Sequence, residues 1–202
     1  MKRFIAVLSG TLLFSLTIAI FFSQVSAQIK AQLPVLLTSC GQSLGPINVE
    51  VGLKGMAYLY SPFATADTLI TLQKKGTPVK SIIIVVGTSL KGMGAAGVTI
   101  EDEMKRTNGL IAECKKQGIM VIGAHVTGMK NRAMGEGVDP SDNTDELSID
   151  AVCPLSAVMI VKKEGNPDGR FTVISKNKNI PLLLYEKNAD LSVVLKNLFG
   201  VK

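Results

Sequence analysis

Lys80 to Gly118 constrains this chain more than any other stretch. Ser81-Ile82-Ile83-Ile84-Val85-Val86 is an unbroken run dominated by β-branched residues. Such a run suits a strand covered on both faces, because side chains on either face must then be buried. A glycine-rich turn follows, Gly87-Thr88-Ser89-Leu90-Lys91-Gly92-Met93-Gly94-Ala95-Ala96-Gly97, and a helix opens at Thr99. Asp102 stands three residues beyond Thr99, the spacing at which two side chains cap each other's backbone N–H. Glu101, Asp102 and Glu103 load the first turn of this helix with negative charge, and Lys115-Lys116 load the last with positive charge, both favourable to the helix dipole. Ile100, Met104, Ile111 and Cys114 recur at helical spacing, and Gly118 stands where helices stop.

The rest of the chain repeats this alternation. Strands are expected at 33–38, 56–60, 119–124, 157–161 and 181–185, each short and apolar. Gly45-Pro46 suits a helix entry, and a short helix ending at Gly55 is expected there, although Ile47, Val49, Val51 and Leu53 also alternate like a strand. Further helices are expected at 65–75, from Asn143 to Val152, and around Leu191, Val194, Leu195 and Leu198. Residues 167–178 read as helical or irregular. Buried strands joined by helical crossovers predict a three-layer α/β fold: a mostly parallel sheet with helices on both faces, Rossmann-like or flavodoxin-like, with the 81–86 strand central.

Residues 1–27 have the pattern of a signal peptide. Lys2-Arg3 is followed by the apolar run Phe4–Phe22 and by the small residues of Val25-Ser26-Ala27. The rival reading is an uncleaved anchor, because the run of 19 residues is near the length that spans a bilayer. Cleavage after Ala27 is preferred and leaves one α/β domain over 28–202, of 175 residues (202 minus 27). Either reading places the domain outside the membrane, secreted or extracytoplasmic, with membrane contact only through an uncleaved segment.

The formal charge of +6 falls to +4 without Lys2 and Arg3, and the remaining basic residues are scattered. With no Trp and 5% aromatic residues, the clustered basic face and stacking platform of a nucleic-acid binder are missing. The three cysteines, Cys40, Cys114 and Cys153, are odd in number and widely spaced, which is neither a disulfide framework nor a zinc pattern. Cys114 falls on an apolar helix face. Cys40 and Cys153 are candidates to pair in an oxidising compartment.

Parallel sheets carry their ligands at the carboxyl ends of the strands. The expected tips bring Ser39, Gln42 and Ser43 toward Gly87, Ser89 and Lys91, and toward His125 and Thr127. The glycine-rich turn offers backbone N–H groups and Lys91 a charge, which together suit a small carboxylate or phosphate. The alternative is a turn shaped only for tight packing. Its glycine spacing matches neither the dinucleotide nor the Walker pattern. His125 is the single histidine. A hydrolase would use it as a base beside Cys40 or Ser89; a structural or ligand-contacting role is the preferred reading. Asp139, Asp142, Asn143, Asp145, Glu146 and Asp150 fit a calcium loop poorly and are read as a solvated loop that caps a helix, so no metal site is assigned.

Four segments carry a resemblance: Pro-Val-Leu-Leu-Thr-Ser-Cys-Gly-Gln-Ser at 34–43, Val-Gly-Thr-Ser-Leu-Lys-Gly-Met-Gly-Ala-Ala-Gly at 86–97, Gly-Ala-His-Val-Thr-Gly-Met at 123–129, and Asp-Gly-Arg-Phe-Thr at 168–172. In these the chain resembles exported bacterial proteins grouped as a domain of unknown function. The resemblance implies a secreted α/β domain with no assigned activity or cofactor. The leading expectation is an extracytoplasmic domain that binds a small, anionic molecule. The alternatives are a hydrolase and a cell-surface protein-interaction module.

Overall fold

The computed structural model describes residues 29–132 and 142–201. The expected signal segment, Asp139 and much of the loop expected over 126–143 lie outside the described residues.

Six strands form one sheet in the order β2-β1-β3-β4-β5-β6, and every neighbouring pair is parallel. They are β1 (Val35–Cys40), β2 (Tyr58–Tyr60), β3 (Ser81–Val86), β4 (Met120–His125), β5 (Val158–Lys162) and β6 (Leu182–Tyr185). All six residues of both β1 and β3 are buried, as their continuous apolar pattern requires, whereas the three residues of edge strand β2 are exposed. The chain runs from β1 outward to β2 and then returns to the other side of β1. The reversal between β1 and β3 makes this a flavodoxin-like order.

Seven helices connect the strands: α1 (Gly45–Gly52), α2 (Ala66–Lys74), α3 (Leu90–Ala96), α4 (Ile100–Gln117), α5 (Thr144–Val152), α6 (Arg170–Lys178) and α7 (Asn188–Phe199). Helices α2, α4, α5 and α6 cover one face through Leu69, Leu110, Ile111, Cys114, Ile149, Val152 and Phe171. Helices α1 and α7 cover the other through Val49, Leu53, Leu191, Leu195 and Leu198. This is the expected three-layer arrangement.

Helix α4 has the reciprocal cap read from its sequence: the Thr99 hydroxyl accepts from Asp102 N–H at 3.2 Å, and an Asp102 carboxylate oxygen accepts from Thr99 N–H at 3.0 Å. Its buried stripe is Ile100, Glu103, Thr107, Leu110, Ile111 and Cys114, so Glu103 faces inward and Met104 is only half-buried. Three local expectations are corrected. Ser39 and Cys40 belong to β1 and not to the turn after it, because the ladder with β3 continues to Cys40 opposite Val86. The glycine-rich segment holds a helix, α3, whose first turn is capped by Ser89 accepting from Gly92 N–H at 3.0 Å. Helix α5 is not capped by Asn143; an Asp142 oxygen accepts from Thr144 N–H at 3.0 Å instead.

Candidate functional site

The reversal between β1 and β3 is closed by the chain itself. Gln42 and Thr88 form an antiparallel bridge, and Ser89 N–H donates to the Gly41 carbonyl at 2.8 Å. Only glycine fits at position 41. Its φ is +105°, and a Cβ there would come within 2.8 Å of the Gly87 carbonyl oxygen. Behind this closure stands Glu103, 1% exposed. Its carboxylate accepts from Gly41 N–H at 2.9 Å, Gln42 Nε2 at 2.8 Å and Arg106 Nη2 at 2.9 Å. Arg106 also donates to the Ser39 carbonyl at 2.5 Å and the Ala64 carbonyl at 2.6 Å. Burial pushes the Glu103 pKa up, but the hydrogen bonds from Arg106 and Gly41, the Arg106 charge and the Gln42 hydrogen bond outweigh it and hold the carboxyl below its usual range.

The neighbouring tips, of β3 and β4, are arranged differently. Helix α5 brings Asp145 and Ser148 onto the end of β3. Asp145 Oδ1 accepts from Thr88 N–H at 2.6 Å, and Ser148 Oγ accepts from Gly87 N–H at 3.0 Å. Gly87 has a φ of +120°, and a Cβ on it would lie 3.4 Å from Asp145 Oδ1, 3.6 Å from Thr127 Oγ1 and 3.7 Å from Ser43 Oγ. The missing side chain therefore leaves a gap no wider than one Cβ, a cradle that three oxygens close at van der Waals distance. His125, the last residue of β4, is fully buried alongside, with Nε2 3.5 Å from Asp145 Oδ2. That contact lacks hydrogen-bond geometry. Both ring nitrogens of His125, Asp145 Oδ2 and Thr127 Oγ1 are buried with no hydrogen-bond partner among the described residues.

His125 is held from its other side by apolar and ion-paired groups. Its ring packs against Phe171 with centroids 5.2 Å apart, and its Nδ1 faces Gly165 so closely that a Cβ there would approach to 2.8 Å. Arg132, 1% exposed, lies over the Phe171 ring at 5.7 Å from the centroid. It donates to Glu146 at 2.7 Å, to Asp168 at 2.6 Å and to the Gly165 carbonyl at 2.9 Å. Arg170 adds contacts of 2.9 Å to Glu146 and 2.7 Å to Asp150. The acidic residues read from sequence as a solvated loop are, where described, mostly bonded into the fold, and Asp145 is 1% exposed.

The structure gathers Ser43, Gly87, His125 and Thr127 around one place and disperses the other expected residues. Ser39 Oγ donates to the Pro62 carbonyl at 3.4 Å. Gln42 is turned toward Glu103, Ser89 caps α3, and Lys91 is exposed on α3. The anion expected in the glycine-rich turn meets a different arrangement. The N–H groups of Gly41, Gly87 and Thr88 are already taken by Glu103, Ser148 and Asp145. The Cys40–His125 pair is also separated. Cys40 lies opposite Val86, and His125 follows Ala124, which lies opposite Val85. The two residues flank Val86 from opposite sides, about 10 Å apart at two strand spacings. Burial pushes the Cys40 thiol up to about 11, away from nucleophilic reactivity. All three cysteines are free and buried, so the considered Cys40–Cys153 bond is not formed.

Asp145 and Glu103 were missed as inward-facing groups, yet each had a signal. Asp145, Ser148, Ile149 and Val152 share one helical face, as do Glu103, Thr107, Leu110 and Cys114. A carboxylate in an apolar stripe is buried and must be bonded. Among the described residues, no group of three or more His, Cys, Asp and Glu side chains converges to hold a metal ion.

Residues 32–199, which include both the sheet and the cradle, match the family described as a domain of unknown function, DUF6305. The chain belongs to this family. No curated protein matches the chain. Solved structures similar to this DUF6305 domain include the psychrotrophic esterase EstA from Pseudoalteromonas sp., at 9% identity and a TM-score of 0.35, covering 82% of this chain and 94% of that one. They also include TesA, at 10% identity and a TM-score of 0.33, covering 83% of this chain and 97% of that one.

Proposed function

We propose that this DUF6305 member is an exported domain that binds a small molecule at the carboxyl ends of β3 and β4. One observation carries the reading: His125, Thr127 and Asp145 present buried polar atoms without hydrogen-bond partners among the described residues, close to Gly87 at the tips of β3 and β4. A buried polar group left without a hydrogen bond costs about 1–3 kcal/mol, and four such atoms on three neighbouring residues are better explained by an occupant than by packing. The position is the one at which open parallel sheets hold ligands. Export rests on the Lys2-Arg3, Phe4–Phe22 and Val25-Ser26-Ala27 pattern. The reading keeps the place expected from sequence and drops the requirement for negative charge.

The test is a thermal-shift screen across carboxylates, phosphates, nucleotides, sugars and amines. A ligand at 100 times its Kd adds about 2.7 kcal/mol to the folded state. True hits should raise the midpoint of the wild-type chain and lose that rise in both Asp145→Asn and Thr127→Val. Hits that shift all three proteins equally would place binding elsewhere and sink the proposal.

Hydrolysis is a second reading, supported by the 3.5 Å approach of His125 to Asp145. Cys40 and Ser89 do not serve it, and Ser43 would have to supply the hydroxyl. Under this reading His125→Ala removes turnover of a model ester while binding persists, whereas a binder shows no turnover in either protein.

A further inference from the structure

We infer that the edge of the sheet opposite the candidate site, where the strands begin, is a basic face that docks on an anionic phospholipid surface. The inference is independent of the binding reading above. Lysines scattered along the chain are gathered here by the parallel topology. Helices α1, α2, α4, α5 and α6 each lead into the next strand of a parallel sheet, so their C-terminal ends collect at the edge where the strands start. Helix α7 ends there too, with Ala31 N–H donating to the Leu198 carbonyl at 2.9 Å. Lys74 and Lys75 close α2, Lys115 and Lys116 lie in the last turn of α4, and Lys176 and Lys178 in that of α6, all exposed. On the opposite helical layer, exposed Lys54 follows α1 and exposed Lys196 lies in the last turn of α7. Lys80 stands at the start of β3 and Lys30 on the entering chain, both exposed. Among the described residues at these helix ends and connections, three carboxylates accompany the ten lysines, and each is bonded locally. Glu50 accepts from Tyr58 Oη at 3.3 Å, Glu113 pairs with Lys116 at 3.3 Å, and Asp150 pairs with Arg170 at 2.7 Å.

The charge is of a kind suited to a broad surface. Lysine carries a compact charge on a flexible stem, whereas the fork of arginine suits a single defined phosphate. Arg106, Arg132 and Arg170 are all tied into ion pairs away from this edge. The lysines flank a sheet edge about 24 Å long for six strands, on both helical layers, so many lipid head groups meet them at once. The chain also leads to a bilayer from this face. Lys30 Nζ donates to the Asn197 carbonyl at 2.8 Å, which fixes the entry of the described chain here. The apolar run Phe4–Phe22 ends seven residues before Ile29, a reach of at most about 25 Å. Before cleavage, or as an anchor, that run brings the basic face within this distance of a membrane. The helix dipole favours a lysine at each helix end singly, but Lys30 and Lys80 lie outside helices.

The experiment sediments the chain from Gln28, which holds every described strand and helix, with vesicles of phosphatidylglycerol and phosphatidylcholine in equal parts, or of phosphatidylcholine alone. The chain should bind the mixed vesicles and not the neutral ones, and binding should fall steeply between about 0.1 and 0.5 M salt. Lys74→Gln with Lys75→Gln, and Lys176→Gln with Lys178→Gln, should each weaken binding about 25-fold, roughly fivefold per lysine. The control pair Lys91→Gln with Lys105→Gln removes the same charge from exposed positions toward the other end of the molecule, more than a Debye length of about 10 Å away. It should weaken binding less than about twofold. No binding to the mixed vesicles, equal binding to both kinds, or equal losses in the face and control pairs would overturn the inference. Tighter binding to a single-stranded oligonucleotide than to the mixed vesicles, lost in the same face pairs, would overturn the choice of lipid as the partner.

Discussion

Removing the Glu103 carboxylate should destabilise this fold far more than an ordinary helix ion pair would. Glu103 and Arg106 stand three residues apart on α4, a spacing worth only about 0.3–0.5 kcal/mol on an exposed surface. Here Glu103 is 1% exposed, and its carboxylate also receives Gly41 N–H and Gln42 Nε2, which pin the β1 tip against β3. In Glu103→Ala, Arg106 keeps its charge beneath the surface and Gly41 N–H loses its acceptor. The expected loss is about 3–5 kcal/mol, the cost of breaking a buried pair from one side. For a domain of this size that corresponds to a fall in Tm of about 6–20 °C. Urea denaturation should show a lower midpoint with an unchanged m-value. The depressed pKa sets the pH dependence. The folded state holds the carboxyl below its unfolded value of about 4.5, so its contribution is present above pH 4.5 and is lost as pH falls through the lower folded value. The gap between wild type and Glu103→Gln should therefore narrow in acid. A loss below about 1 kcal/mol in Glu103→Ala would refute the argument, since that is the scale of a solvated pair.

Arg132→Ala should cost about 3 kcal/mol by removing the charged donor shared by Glu146, Asp168 and the Gly165 carbonyl, again read from the urea midpoint. Its effect should shrink below pH 3.8, because Asp168, whose desolvation is outweighed by its bonds to Arg132 and Arg170, is held below that usual value. Ellman's reagent at pH 8 should leave the native chain unreacted and count three thiols in denaturant without reductant; burial puts Cys40 at about 11 and Cys114 at about 12, so about one in a thousand Cys40 thiols or fewer is ionised. One reactive thiol in denaturant would reveal a disulfide between the other two. N-terminal sequencing of the exported protein should begin at Gln28, and a membrane-bound product retaining Met1 would instead indicate an anchor.

The elements that sequence specified are those whose information is local. The β-branched run at 81–86 admits little but a covered strand, and the cap from Thr99 to Asp102 with the glycine at 118 bounds α4 within a residue. Alternation of such units was sufficient for a parallel three-layer sheet. Helix α3 was hidden because glycines at 92 and 94 mask a helix start that the Ser89 cap supplies. The strand-tip positions of the candidate residues were legible, and their hydrogen bonding was not. Position along the chain puts Gly87, His125 and Thr127 at strand tips, yet which backbone N–H groups remain free depends on side chains that arrive from elsewhere. Glu103 comes from 62 residues beyond Gly41, and Asp145 from 57 residues beyond Thr88. Glu103 takes the Gly41 donor of the β1 tip, and Asp145 with Ser148 takes the first two donors of the glycine-rich turn. Only the packing of α4 and α5 onto the sheet decides this, because satisfying a buried backbone group is a property of the assembled interior and not of the segment that carries it.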